Sequence, residues 1–234
     1  MRDCEFLHPP PSTVQPRSAL LVGASGLVGG HLLQLLLGDD AYNQVTVLVR
    51  KPLAFRHSKL QEYVVDFDQL DKYKDALRAH DAFCCLGTTI KVAGSQEAFR
   101  KVDFTYVVQT AALVLKNGAE QFLMVSSLGA DTSSRVFYSR VKGEVEGAVS
   151  KLPFKALQIF RPSFLLGDRR ESRRGEKIAI ALMKSLSFAL AGSLRKYRAI
   201  HALTVANAML SVAKQQNTGV AIYESDRIQV LGQV

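Results

Sequence analysis

The string Gly23-Ala24-Ser25-Gly26-Leu27-Val28-Gly29 limits what this chain can fold into more than any other stretch. It follows the short apolar run Ala19–Val22 and opens a longer one, Leu27–Leu37, that carries helical spacing and stops at Gly38 as a C-cap. Glycines so placed between a strand and a helix have separate jobs. Gly23 permits the tight turn, Gly26 lets backbone approach a pyrophosphate, and Gly29 lets the helix pack against the strand. The helix that begins there offers unpaired amides and a partial positive charge to an anion. At the first strand-to-helix junction the string predicts a dinucleotide-binding turn built from Gly23, Ser25, Gly26, Leu27, Val28 and Gly29.

The rest of the chain supports that reading. Short apolar runs at Ala19–Val22, Val45–Val49, Tyr63–Val65, Ala82–Leu86, Gln121–Ser126 and Ala156–Phe160 alternate with helical segments. The helices are expected at Leu27–Leu37, Asp68–Arg78, Gln96–Lys116 and Tyr138–Lys151. This alternation predicts an α/β fold, a Rossmann-type doubly wound parallel sheet in one domain. Residues 1–17 hold four of the seven prolines and no apolar period, so they read as a flexible tail. Residues 18–234 then form the nucleotide-binding domain, with substrate-side elements from about 162 onward.

A parallel sheet of this kind presents its strand ends to the cofactor. The second strand ends in Arg50-Lys51, where a site for NAD usually carries an acid for the ribose hydroxyls. An arginine fork suits a 2′-phosphate, which favours NADPH (NADP+) over NAD(H). Asp66 follows the third strand, where it either faces adenine or caps the next helix. Leu86, Gly87 and Thr88 follow the fourth, and a side chain at Gly87 would crowd a cofactor.

The fifth strand runs into Ser126-Ser127. Twelve residues beyond Ser126 comes Tyr138, and Lys142 lies one helical turn further on the same face. A free tyrosine titrates near 10 and moves protons poorly at neutral pH. A lysine ammonium beside it stabilises the phenolate, and a serine can hold a substrate oxygen. Tyr138, Lys142 and either Ser126 or Ser127 therefore suit hydride transfer coupled to protonation of oxygen.

These residues are the ones carried by the short-chain dehydrogenases/reductases. More closely, the chain resembles the Tat-interacting-protein family of atypical members, through "GASGLVG", "VVDFDQLDKY", "HDAFCCLGTT", "SSLGADTSSRVFYSRVKGEVE" and "FRPSFLLGDRRESRRGE". The resemblance spans roughly Leu21 to Glu176. It implies NADPH contacts from Ser25, Gly26, Leu27, Val28, Arg50, Lys51, Leu86, Gly87, Tyr138, Lys142, Leu165 and Arg173, with Tyr138 as proton donor or acceptor. It also implies protein partners. The chain departs from the family at Leu27-Val28, where a more polar pair is usual, and at Lys51, which keeps a charge but loses the fork of a second arginine.

Other classes are disfavoured. The net charge of +9 invites a nucleic-acid partner, but no such motif accompanies it. Three cysteines without zinc-ligand spacing argue against a disulfide scaffold or a metal site and for a reduced, cytoplasmic setting. The first residues do not read as a secretory leader, and no apolar run reaches membrane-spanning length. The segment Gly175–Gly192 forms a substrate lid, core or an oligomer face. An NADPH-dependent oxidoreductase acting on a small carbonyl or alcohol is the first expectation. An NADPH-loaded regulatory or scaffold protein without turnover is the alternative, and Arg50 and the short C-terminal region oppose an NAD-dependent epimerase.

Overall fold

The computed structural model describes residues 17–167 and 192–233. Seven strands form one parallel sheet: β1 Arg17–Val22, β2 Tyr42–Val49, β3 Leu60–Val64, β4 Asp81–Cys84, β5 Gln121–Val125, β6 Ala156–Arg161 and β9 Gly219–Glu224, in the order β3-β2-β1-β4-β5-β6-β9. A second, two-stranded sheet joins β7 Leu165–Leu166 to β8 Ile200–His201. The central strands are apolar on both faces because helices cover both. Along β1, Ala19 and Leu21 enter one core while Leu20 and Val22 enter the other. Helix α1 (Leu27–Gly38) and the helix Ala202–Gln215 cover the first face. Helices α4 (Tyr106–Lys116) and α5 (Phe137–Val149) cover the second, with the turn of 3₁₀ helix at Phe67–Leu77.

The end of the sheet away from the site is tied by a buried carboxylate. Asp81 accepts from Arg17 Nε and Nη2 at 2.8 Å each, from the Tyr42 hydroxyl at 2.9 Å and from Gln121 Nε2 at 3.0 Å. Arg17 thus opens β1, and the rest of the tail expected at residues 1–17 lies outside the described residues.

Four expectations need adjusting. Gly38 is the last residue of α1, and Asp39 is its C-cap in an extended conformation. The segment expected as a helix at Asp68–Arg78 is 3₁₀, interrupted by non-helical Gln69 and Tyr73. After a short helix α2 (Ile90–Ala93), the long helix expected at Gln96–Lys116 is present as α3 (Gln96–Arg100) and α4, joined by one π turn at Lys101–Thr105. A seventh strand, β9, was not expected. It is an edge strand with Val220 and Ile222 about half exposed, and so lacks the continuous apolar run that marked the central strands. The proposed lid or face at Gly175–Gly192 lies almost wholly outside the described residues.

Candidate active site

The strand order reverses between β1 and β4, and in open parallel sheets the ligand crevice lies at such a point, outside the carboxyl ends of the strands. The glycine turn forms one wall. Gly23 has φ +84°, and a Cβ on it would lie 2.5 Å from the carbonyl of Cys85. This glycine is what lets the first loop cross the end of β4. A Cβ on Gly29 would stand 2.1 Å from the Gly23 carbonyl oxygen, so the helix can pack this closely only without one. Gly26 donates its amide to the Gly23 carbonyl at 2.9 Å and closes the turn. No side chain caps α1, which leaves its first amides turned toward the crevice for an anion.

The two departures in the turn have different consequences. Val28 is 5% exposed and packs into the core, so only its backbone can meet a phosphate. Leu27 is half-buried and lies against Gly167, where a Cβ would come within 2.7 Å of its side chain. Ser25 is exposed at the tip.

Around the crevice, Arg50 and Lys51 leave β2 exposed, and neither pairs with an acid among the described residues. Asp66 caps the 3₁₀ turn: its Oδ1 accepts from the Asp68 amide at 2.9 Å and its Oδ2 from Gln69 Nε2 at 3.1 Å. Of its two expected roles, capping is the one that uses both its oxygens. Leu86 packs on the second core, and Gly87 and Thr88 continue past β4. A Cβ on Gly87 would meet only Asp103 Oδ1 at 3.5 Å and Lys142 Nζ at 3.8 Å, ordinary contacts. The protein's own packing therefore does not require a glycine at 87, unlike at 23 and 29. Leu165 sits on β7 at the cavity described below, and Arg173 lies outside the described residues.

The serine pair separates cleanly. Ser126 is 5% exposed and donates its hydroxyl to the buried Glu146, which Arg161 also grips, with Nε at 3.0 Å. Its oxygen is committed to holding β5, α5 and β6 together. Ser127 instead lines a cavity of about 570 Å³ with Tyr138, Leu128, Arg161, Phe164, Leu165, Lys196 and Tyr197. Removing the carboxylate should show what the network contributes. Glu146→Ala strands the Arg161 guanidinium, and chemical denaturation should find about 3 kcal/mol of stability lost. An unchanged midpoint would mean that the three groups do not act together.

Tyr138 rests its ring on Phe99, with centroids 5.5 Å apart, and Lys142 follows one turn later, 4% exposed. The Lys142 ammonium lies 2.7 Å from Asp103 Oδ1. Burial works against that charge, but Asp103 and the facing Tyr138 outweigh it, and the lysine stays protonated above its usual range. The neighbouring Cys84 thiol is pushed up to about 12, chiefly by burial, so it is no nucleophile at neutral pH.

Asp103, Glu146 and Arg161 were not singled out from the sequence. Glu146 had a signal, since Tyr138, Lys142 and Glu146 recur at four-residue spacing on one helical face. Asp103 had none, because the π turn that aims it inward leaves no mark in the pattern of apolar residues. Among the described residues no group of three or more His, Cys, Asp or Glu could hold a metal ion, and no helix is long and apolar enough to cross a membrane.

Residues 23–165 match the family described as NAD(P)H-binding. Protein HTATIP2 of Rattus norvegicus is 40% identical over 224 residues, covering 94% of this chain and 90% of its own length. A Debaryomyces hansenii protein named FMP52, mitochondrial, is 35% identical over 161 residues, 67% of this chain and 70% of its own. Among solved structures, MoeE5 in complex with UDP-glucose and NAD superposes with a TM-score of 0.66 at 16% identity, covering 88% of this chain and 74% of that one. The UDP-glucose 4-epimerase of Thermotoga maritima gives 0.64 at 15%, covering 92% and 81%. At such identities the solved structures speak for the fold alone, that of the short-chain dehydrogenase type. The glycine turn and the parallel sheet that carries it thus agree with the relatives: the chain belongs to the NAD(P)H-binding family, in the atypical short-chain dehydrogenase/reductase branch that includes HTATIP2.

Proposed function

We propose that this protein is an NADPH-dependent oxidoreductase that interconverts a small carbonyl and its alcohol. The observation that carries the reading is the placement of Tyr138. Its side chain forms part of the cavity wall, with Ser127 on the same cavity and the charged Lys142 one turn behind. The dinucleotide turn lies across the same strand ends.

The residues present fit the cofactor. No side chain caps the first turn of α1, so its amides are free for a pyrophosphate, and a Cβ on Gly87 would make only ordinary contacts, so the protein leaves room there beside β4. Arg50 and Lys51 would take a 2′-phosphate, Lys142 would face the ribose, and NADPH, when bound, supplies a hydride. The Ser127 hydroxyl orients the substrate oxygen. The Tyr138 hydroxyl gives a proton to that oxygen on reduction and takes it back on oxidation, and the Lys142 charge stabilises the phenolate between. Water has poor access behind Tyr138, because Lys142 is nearly buried.

The cavity supports an uncharged substrate with an apolar or aromatic body. Leu128, Phe164, Leu165 and Tyr197 line it, and the cations Arg161 and Lys196 are already paired, with Glu146 and Glu224 respectively. A cytosolic setting is part of the proposal and rests on the free thiols of Cys84 and Cys85.

Cofactor choice is the first test. In Arg50→Ala, calorimetry should find NADPH binding weakened roughly tenfold, about 1.4 kcal/mol, with NADH affinity unmoved. Equal loss for both nucleotides would take the 2′-phosphate away from Arg50. Tight NADPH binding with no turnover across a panel of aldehydes and ketones would instead leave a cofactor-loaded regulatory protein.

A further inference from the structure

The π turn at Lys101–Thr105 has a chemical consequence at the crevice. A single wide turn inside an otherwise regular helix costs hydrogen-bond geometry and commonly marks a functional site. Here it places Asp103, fully buried, at the carboxyl end of β4. One carboxylate oxygen, Oδ2, accepts the Thr88 amide at 2.9 Å. The other, Oδ1, lies 2.7 Å from Lys142 Nζ and makes no well-directed hydrogen bond of its own, so it serves the lysine as a counter-charge. An isolated carboxylate at such depth would be expensive, and the ammonium opposite it equally so.

We propose that Asp103 is a positioning residue that ties Lys142 and the Gly87–Thr88 loop into one unit at the strand ends, where the cofactor ribose and its neighbouring phosphate would lie. The inference rests on the oxidoreductase reading for what the unit serves, but not for the unit itself. Through one oxygen Asp103 fixes the loop whose glycine leaves the cofactor space open. Through the other it holds Lys142 charged and pointing at that space, and it tempers how strongly that charge acts on Tyr138. Three titratable groups face the lysine: Asp103 from the π turn, Tyr138 from its own helix and Cys84 from β4. Of the three, only Asp103 is a carboxylate.

The test uses the full chain with ¹³C-labelled lysine. Asp103→Asn keeps an acceptor for the Thr88 amide and removes the charge. The Lys142 resonance, assigned by its loss in Lys142→Gln, should titrate at least about one pH unit lower in Asp103→Asn, since burial is then unopposed. NADPH binding to wild type, Asp103→Asn, Lys142→Gln and the double variant completes a cycle. Positioning through the lysine predicts that the double variant binds NADPH about as weakly as Lys142→Gln alone. Losses that multiply independently, or a Lys142 titration unmoved by Asp103→Asn, would overturn the proposal. Should Asp103→Asn alone fail to fold, the double variant no longer strands a charge, and its comparison with Lys142→Gln still decides. If wild type binds no NADPH, the functional reading fails while the lysine titration still decides whether Asp103 governs Lys142.

Discussion

Tyr138→Phe should lower NADPH-linked turnover of a carbonyl substrate by about 10²- to 10⁴-fold while NADPH affinity stays within roughly threefold of wild type. The substitution removes one hydroxyl and little else. The ring keeps its tilted contact with Phe99 at 5.5 Å, and Lys142 keeps its pair with Asp103 at 2.7 Å. Binding of the dinucleotide depends on the turn and on Arg50, so loss of turnover with binding intact isolates the proton transfer. The pH profile adds a second check. Lys142 titrates above its usual range, so its charge is fully present from neutral through mildly alkaline pH and is lost only as pH rises past that raised value. Any rate limb near neutrality must then belong to another group. Turnover unchanged in Tyr138→Phe would remove this tyrosine from the chemistry.

Gly29→Ala should be among the most damaging single methyl additions in the described residues. The added Cβ would meet the Gly23 carbonyl oxygen at 2.1 Å and the Gly23 carbonyl carbon at 2.8 Å, both backbone atoms that no rotamer can clear. Relief requires α1 to move off the turn, which destroys the anion site and opens the packing of Leu32, Leu33 and Leu36 beneath it. The expected outcome is a loss of about 3 kcal/mol or more, with NADPH binding weakened at least about 100-fold. Gly30→Ala is the internal control. Its Cβ would sit 3.6 Å from the Ala24 carbonyl oxygen, an ordinary contact, and alanine favours the helix by up to about 1 kcal/mol. Wild-type stability and binding in Gly29→Ala would mean that the turn does not pack as described.

The parts of the fold legible in the sequence were those where one physical demand acts alone. Strands β1, β2, β4, β5 and β6 are buried on both faces, so their apolar runs were continuous and their positions plain. The glycine turn was legible because backbone crossings at Gly23 and Gly29 admit no side chain. The Tyr138–Lys142 pair was legible because helical spacing puts both on one face. Edge strand β9 was not, because half of it faces outward and its apolar residues no longer signal burial. The π turn was not, because the helices on either side of it have normal apolar spacing and one extra residue leaves no trace. The choice between Ser126 and Ser127 could not be made from adjacent identical residues. What distinguishes the two is that Ser126 bonds Glu146, which Arg161 also holds, and the convergence of these elements is a property of the folded chain. At Val28 the family likeness implies a cofactor contact, and because the core takes the side chain only the backbone is left to make it.

The central claim, that the strand-end crevice is an NADPH site, is tested most directly by calorimetric titration of the nucleotide-stripped wild-type protein with NADPH and with NADH. The account predicts one site per chain, filled by NADPH at least about tenfold more tightly than by NADH, a difference of roughly 1.4 kcal/mol. Binding of NADH as tight as that of NADPH would contradict the role given to Arg50 and Lys51. Absence of binding by either would contradict the account as a whole and leave the glycine turn as packing alone.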